Sequence, residues 1–263
     1  MTLKHIRRKF LNEYTKDDWD NISKFSTLIP FERAKDINKL KSKSIKNSQT
    51  FFLKLGENLI AKGHCIKSNG KYYTFPEPDI ILIYFSNAQV SLKEFIHIKR
   101  LLLPKLNFEE YNIEGFLHEY YKFYGAFCNT VINLFCSLES FMNSLIPTDF
   151  IYERKSKNKT ECFNCRQIQE CISFDEKMKE VNFNIHKISF EKKHPTLWSR
   201  IQNLKEIRNK IVHVKKSDNN IQHEDITKLT LSVNFDDYFE VVFKFMNFYK
   251  PNYIQECDCG EEE

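Results

Sequence analysis

The chain has 263 residues, room for one large domain or two small ones. With 41% hydrophobic and 29% charged residues it has the composition of a folded, soluble chain, which excludes a disordered one. Only 6 glycines occur, and neither G-x-G-x-x-G nor G-x-x-x-x-G-K-[ST] is present, so glycine-rich dinucleotide and P-loop folds are excluded. The 24 Phe and 12 Tyr supply ample core bulk. Met1 to Lys9 is charged and no apolar signal region follows, nor is any stretch apolar enough to span a membrane. The expectation is a cytoplasmic protein whose 8 cysteines stay reduced.

Net charge is +5, unevenly distributed. Residues 151–216 carry 16 Lys and Arg against 8 Asp and Glu, whereas residues 218–263 carry 3 against 11. The basic segment suits a polyanion such as RNA, or is a solvated lysine-rich face. The acidic end is a solubilising tail or a cover for the basic segment.

Residues 1–108 read as a small α/β extension. Thr15-Lys16-Asp17-Asp18-Trp19 has the form of a capped helix start. Ile29-Pro30 marks a break, because the residue before proline is pushed out of the helical region. Phe51-Phe52-Leu53 and Leu59-Ile60-Ala61 are short apolar pieces. Asn69-Gly70 is a hairpin turn, since both residues tolerate positive φ. Lys71 to Phe75 and Asp79 to Phe85 then read as strands, rich in β-branched and aromatic residues. Val90 to Leu103 reads as a helix.

Residues 109–250 read as a helical domain, making the chain mainly α. Phe116, Tyr120, Phe123, Phe127, Val131, Leu134, Leu138, Phe141 and Leu145 advance by threes and fours, a single helix face. The helix runs whole or breaks near Gly125, and ends before Pro147. Cys162 and Cys165 form a C-x-x-C, half of a zinc site, for which Cys257 and Cys259 are the candidate second half. The one-residue spacer of that second pair is poor for a tetrahedral metal, so free thiols are the expectation. Cys65, Cys128 and Cys136 lie in apolar surroundings and read as core.

Thr196, after Pro195, starts a helix that ends near Lys215-Lys216, where cations favour the dipole and raise the protonated fraction of His213. Trp198, Ile201, Leu204, Ile207, Ile211 and Val214 form its buried stripe. Arg208, Asn209 and His213 lie off it. Asn209 and His213 are one turn apart, and Arg208 and His213 stand roughly 140° apart around the helix. A permanent cation, an amide and an imidazole so placed can bind a phosphate and move a proton. Leu229 to Val233 alternates as a short strand, and Asp236 to Tyr249 is a final aromatic helix. Residues 251–263 read as an acidic tail.

Arg208-Asn209-Lys210-Ile211-Val212-His213 resembles the signature of the HEPN superfamily, an arginine, four residues and a histidine. Ser137-Leu138-Glu139-Ser140-Phe141-Met142-Asn143 with Ile146-Pro147 resembles an early helix of one prokaryotic toxin or abortive-infection branch. Phe174-Asp175-Glu176-Lys177 is similar to that branch's next helix, and the pieces occur in the same order. The likeness covers about residues 110–250.

The resemblance implies a HEPN-like helical bundle and a metal-independent RNA endonuclease with no cofactor, in toxin–antitoxin or antiviral defence. It implies a homodimer with a composite cleft, and an antitoxin or other regulatory protein as partner. His213 is then the general acid or base, Arg208 the phosphate clamp, and Asn209 an orienting or donating amide. Lys210, Lys215 and Lys216 guide RNA backbone. Glu139 and Asn143 are expected as structural partners, Glu139 to the arginine helix. Cleavage through the 2′-hydroxyl leaves a 2′,3′-cyclic phosphate. The alternative is a non-catalytic HEPN-like module that binds RNA, a nucleotide or a protein. A tyrosine two residues after the histidine, which a partner nucleotidyltransferase modifies in some HEPN toxins, is replaced here by Lys215.

Overall fold

The computed structural model describes residues 4–14, 26–30, 50–55, 59–107, 116–155, 159–213 and 221–258. The chain is mainly helical and divides into two compact units. One is Arg8–Ile80; the other joins Met1–Arg7 to Ile81–Glu263.

The smaller unit is a sheet of β1 (Glu13–Tyr14), β2 (Ser26–Pro30), β3 (Thr50–Lys54), β4 (Ile60–Ser68) and β5 (Lys71–Pro76). Strand order is β1-β4-β3-β2, with β5 pairing the second half of β4. Strands β2 and β3 run parallel; the other pairs are antiparallel. The expected hairpin turn is present: Asn69 has φ 48° and Gly70 φ 77°, values a side chain with branching at Cβ cannot adopt cheaply. Gly63 is required for a different reason. A Cβ there would lie 2.5 Å from Leu53 Cδ1 and 2.8 Å from the Phe75 carbonyl oxygen. The expected helix start at Thr15 to Trp19 lies outside the described residues.

The larger unit opens with α1 (Ile80–Leu102), a 3-10 turn (Leu103–Leu106) and α2 (Leu117–Ser144). A hairpin of β6 (Ile151–Lys155) and β7 (Thr160–Asn164) leads to α3 (Cys165–Cys171). The helical stretch 174–186 contains α4 (Phe174–Glu176), a π-turn (Lys177–Val181) and α5 (Asn182–His186). Then come α6 (Phe190–Lys193), α7 (Pro195–Val212), α8 (Ile221–Ser232) and α9 (Phe235–Tyr249).

Helix α2 is the spine. Phe123, Phe127, Val131, Leu134, Leu138 and Phe141 of the expected stripe are buried, and the helix runs through Gly125 without a break. Helix α1 joins it through Phe95, whose ring stacks 5.1 Å from Phe123. Phe85 meets Phe239 of α9 edge to face at 5.3 Å. Such buried rings each contribute on the order of 3–5 kcal/mol, judged by the usual cost of truncation to alanine. A second small cluster, Ile146, Tyr152, Ile168, Ile172 and Val181, lies under the β6–β7 hairpin.

Two strand expectations are corrected. Asp79 to Phe85 is not a strand: from Ile80 it forms the first turns of α1. Ile81, Leu82, Phe85 and Ala88 fall at helical spacing, and burying that stripe outweighs the β propensity of the run. Leu229 to Val233 is likewise no strand but the end of α8, with Thr230 inward and Leu231 outward. The end of the chain is tied down as far as Cys257. Tyr253 and Ile254 are buried, Ile6 pairs with Glu256, and Asn247 bonds both the N–H and carbonyl of Ile254. No helix among the described residues is long and apolar enough to cross a membrane.

Candidate functional site

Helix α7 begins with Pro195 at its first turn and buries Trp198, Ile201, Leu204 and Ile207 against the core. That stripe fixes its rotation and sends Arg208 towards α2. The Arg208 guanidinium carbon lies 5.3 Å from the centre of the Phe135 ring. Its Nη1 donates to Asn209 Oδ1 at 3.1 Å. Both residues are half-buried. A guanidinium over an aromatic face keeps its charge and leaves much of its donor fork facing outward.

His213 is exposed and is the C-cap of α7, with φ −110° and ψ 66°. The helix therefore ends three residues before the expected Lys215-Lys216. Leaving helical geometry at His213 also removes the regular 140° offset from Arg208. The His213 main-chain N–H donates to the Asn209 carbonyl at 2.9 Å, which anchors the backbone there. Among the described residues its ring has no hydrogen-bond or ion-pair partner. Asn209 thus touches Arg208 through its side chain and His213 through its main chain.

Beside Arg208, the α2 face carries Phe135, Cys136, Glu139 and Asn143. Burial pushes the Cys136 thiol pKa up; Glu139 adds to that push and Arg208 opposes it, so both charges act at one thiol. Glu139 also acts on Lys177 of the π-turn. Lys177 is 2% exposed, and burial lowers its pKa while Glu139 and Cys171 counter the shift. Its Nζ donates to Asn143 Oδ1 at 3.1 Å and to the Gln169 carbonyl at 2.6 Å. The Gln169 amide in turn donates to the Asn143 carbonyl at 3.2 Å. A π-turn is uncommon and frequently marks a functional position.

Two acids hold this stretch in place. Asp175 pairs with Lys205 of α7 at 2.7 Å and accepts from Gln202 at 3.1 Å. Burial works against its charge, but those partners hold its pKa below the ordinary value. Glu176 accepts from Arg154 Nε at 2.7 Å and from the Tyr152 hydroxyl at 3.0 Å. Arg154 holds the Glu176 pKa down, and burial with Glu176 pushes that of Tyr152 up to about 12.

Arg208 over Phe135 and Lys177 bonded to Asn143 thus bring two separated segments onto α2, while Glu139, expected as a partner of the arginine helix, makes no hydrogen bond or ion pair among the described residues. In the sequence Phe135 carries no expectation, Cys136 reads only as core, and Lys177 stands out only as part of the 174–177 resemblance. A lysine is rarely buried, so Lys177 carries no local sign of its position. Lys210, expected on RNA, pairs with Asp225 at 3.5 Å. Lys215 and Lys216 lie outside the described residues. Cys162 is exposed, Cys165 and Cys257 are half-buried, and Cys259 lies outside the described residues. Among the described residues no group of three or more His, Cys, Asp or Glu side chains is arranged to hold a metal ion. Cys65 has no described side chain.

No protein-family model, curated protein or solved structure matches this chain.

Proposed function

We propose that the protein is a metal-independent RNA endonuclease of HEPN type, acting in toxin–antitoxin or antiviral defence as a homodimer. The observation that supports this reading best is the convergence of the three family-like segments. Lys177 on the π-turn donates to Asn143 of α2, and Arg208 on α7 lies over Phe135 of the same helix, although the three segments are far apart in sequence. The half-buried Arg208 presents a planar donor fork, and the His213 ring has no hydrogen-bond or ion-pair partner among the described residues.

In this reading the RNA 2′-oxygen forms a bond to phosphorus while the bond from phosphorus to the 5′-oxygen breaks. One His213 takes the 2′ proton, and His213 of the second copy delivers a proton to the leaving 5′-oxygen. Arg208 binds the phosphate oxygens and the charge that builds on them. Asn209 sets the guanidinium; Glu139, Lys177 and Asn143 fix the helix behind it. The products are a 2′,3′-cyclic phosphate and a 5′-hydroxyl.

The test is cleavage of end-labelled RNA in EDTA by the parent, His213→Ala and Arg208→Ala. Loss of cleavage in both variants, with cyclic-phosphate ends from the parent, supports the reading. Unchanged cleavage by His213→Ala sinks it. The second reading is a non-catalytic module binding RNA, a nucleotide or a protein. It is favoured by one observation, the engagement of Arg208 with Phe135 and Asn209. It predicts RNA affinity without cleavage by the parent.

A further inference from the structure

The β4–β5 hairpin alternates its side chains between two faces, as any strand pair must. On one face Ala61 and Gly63 are buried, with the Gly63 Cα packed close to Leu53. The register His64↔Phe75 and Ile66↔Tyr73 puts the other four side chains together on the opposite face. That face is open: Phe75 is 50% exposed, Ile66 52% and Tyr73 43%. The Tyr73 and Phe75 ring centres stand 6.4 Å apart and their planes differ by 31°. Two exposed rings at that spacing offer a stacking surface to each of two successive bases of an extended single strand.

Among the described residues, basic side chains border the rings. Lys71 is exposed at the hairpin tip, and Lys62 and His64 lie on the same face. One carboxylate, Glu77, is only 9% exposed and is drawn in beneath them. Its Oε1 takes Lys62 Nζ at 2.9 Å and His64 Nε2 at 3.1 Å, while Oε2 takes Asn12 Nδ2 at 3.0 Å. It fixes the two donors without offering a negative surface. Burial works against its charge, but Lys62 and Asn12 hold its pKa below the ordinary value.

An open apolar strand face is ordinarily an aggregation liability or a protein contact. Here two exposed rings lie side by side at a 31° tilt, and among the described residues Lys62, His64 and Lys71 share their face. Those two features together match a polyanion that carries flat bases. We propose that this hairpin face binds single-stranded nucleic acid, with adjacent bases stacked on Tyr73 and Phe75 and the backbone phosphates on Lys71 and His64. The hairpin belongs to the smaller unit, and the proposal does not require the α7 residues to be catalytic.

The test uses the full chain carrying His213→Ala, so that cleavage cannot confuse binding. Fluorescence anisotropy at low salt reads affinity for a 12-nucleotide oligo-U, a 12-nucleotide oligo-dT and a 12-base-pair RNA duplex. Tyr73→Ala and Phe75→Ala each weaken binding of the single strands about tenfold, as expected for loss of one stacked base. Tyr73→Phe keeps the affinity. Phe75→Leu, which retains apolar bulk but no ring, loses it. Lys71→Ala lowers the salt dependence by about one phosphate contact. Circular dichroism checks that these surface variants stay folded. Equal affinity in the parent and both ring-to-alanine variants overturns the proposal. So does equal binding by Phe75→Leu, or an absence of single-strand binding, either of which points to a protein-docking face. Preference for oligo-U over oligo-dT identifies RNA as the ligand; equal binding leaves the shared base-and-phosphate chemistry.

Discussion

Replacing Asn143 by leucine tests the network behind Arg208. The two side chains are similar in size, so the chief change is the loss of the amide, whose Oδ1 accepts from Lys177. Lys177 is 2% exposed, and its ammonium has three N–H donors. Asn143 Oδ1 at 3.1 Å and the Gln169 carbonyl at 2.6 Å accept two of them. Removing the first leaves a charged donor without an acceptor in a site closed to water. A hydrogen bond to a charged group contributes about 1.5–3 kcal/mol, so Asn143→Leu is expected to cost roughly 2–3 kcal/mol. At about 2–4 °C per kcal/mol for a unit of this size, the melting temperature falls by roughly 4–12 °C. Lys177→Met removes the charge itself. The double variant Asn143→Leu/Lys177→Met then has an apolar pair, and its loss falls short of the sum by about 1 kcal/mol or more. Thermal unfolding followed by circular dichroism gives all four corners of the cycle. If Asn143→Leu melts with the parent, or the two losses simply add, the ammonium is not held as described.

Burial lowers the Lys177 pKa from 10.5, so between its folded value and 10.5 the unfolded chain binds more protons. Stability measured against pH in that window rises more in the parent than in Lys177→Met. Tyr152 has the opposite sign: its pKa is raised from 10.0 to about 12, so the stability it supplies is present below 10.0 and lost as pH rises through 12. In Glu176→Gln, ultraviolet titration of the phenols finds that late-ionising tyrosine moved back towards 10. Gly63→Ala forces a methyl against the Phe75 carbonyl and Leu53, and overpacking of this kind costs about 1–3 kcal/mol, read as a lower melting temperature of the smaller unit. Arg208→Lys keeps the charge but loses the fork and the Phe135 contact. RNA cleavage therefore falls nearly as far as in Arg208→Ala, and a lysine variant with parental activity refutes a role for the fork.

Helix α2 was legible because its signal is long. Over the stripe from Phe123 to Phe141 no other period accommodates the apolar positions, and all six of those residues are buried. The Asn69-Gly70 hairpin was legible for a local reason, since few sequences accept positive φ twice in succession. The second half of α1, from Val90, was legible as a helix, but its first turns and the end of α8 were not. Ile80 to Phe85 is a continuous apolar run, which fits a strand or a helix equally, and β-branched residues tilt it the wrong way. The partner surface decides: Phe85 against Phe239 and Phe95 against Phe123 reward only the helical spacing. Leu229 to Val233 is too short for any period to be counted securely.

The candidate site divides along the same line. Glu139 and Asn143 are four apart, as are Asn209 and His213, so each pair could be placed on one helix face from spacing alone. What spacing cannot supply is which faces meet, and so the burial of Lys177 and the shared action of Glu139 on Lys177 and Cys136 appear only in three dimensions. It also cannot say where a helix stops. A six-residue motif read as continuous helix puts arginine and histidine at a fixed angle. With α7 ending at Val212, the angle is set by Asn209, whose side chain accepts from Arg208 and whose carbonyl accepts from His213. The cation is then tied to the rigid core through Phe135, while the imidazole sits on a cap where the chain turns out of the helix. On the proposed reading the arginine clamp is thus the part tied to the core and the imidazole the part placed at the helix end, so that reading depends on where α7 stops.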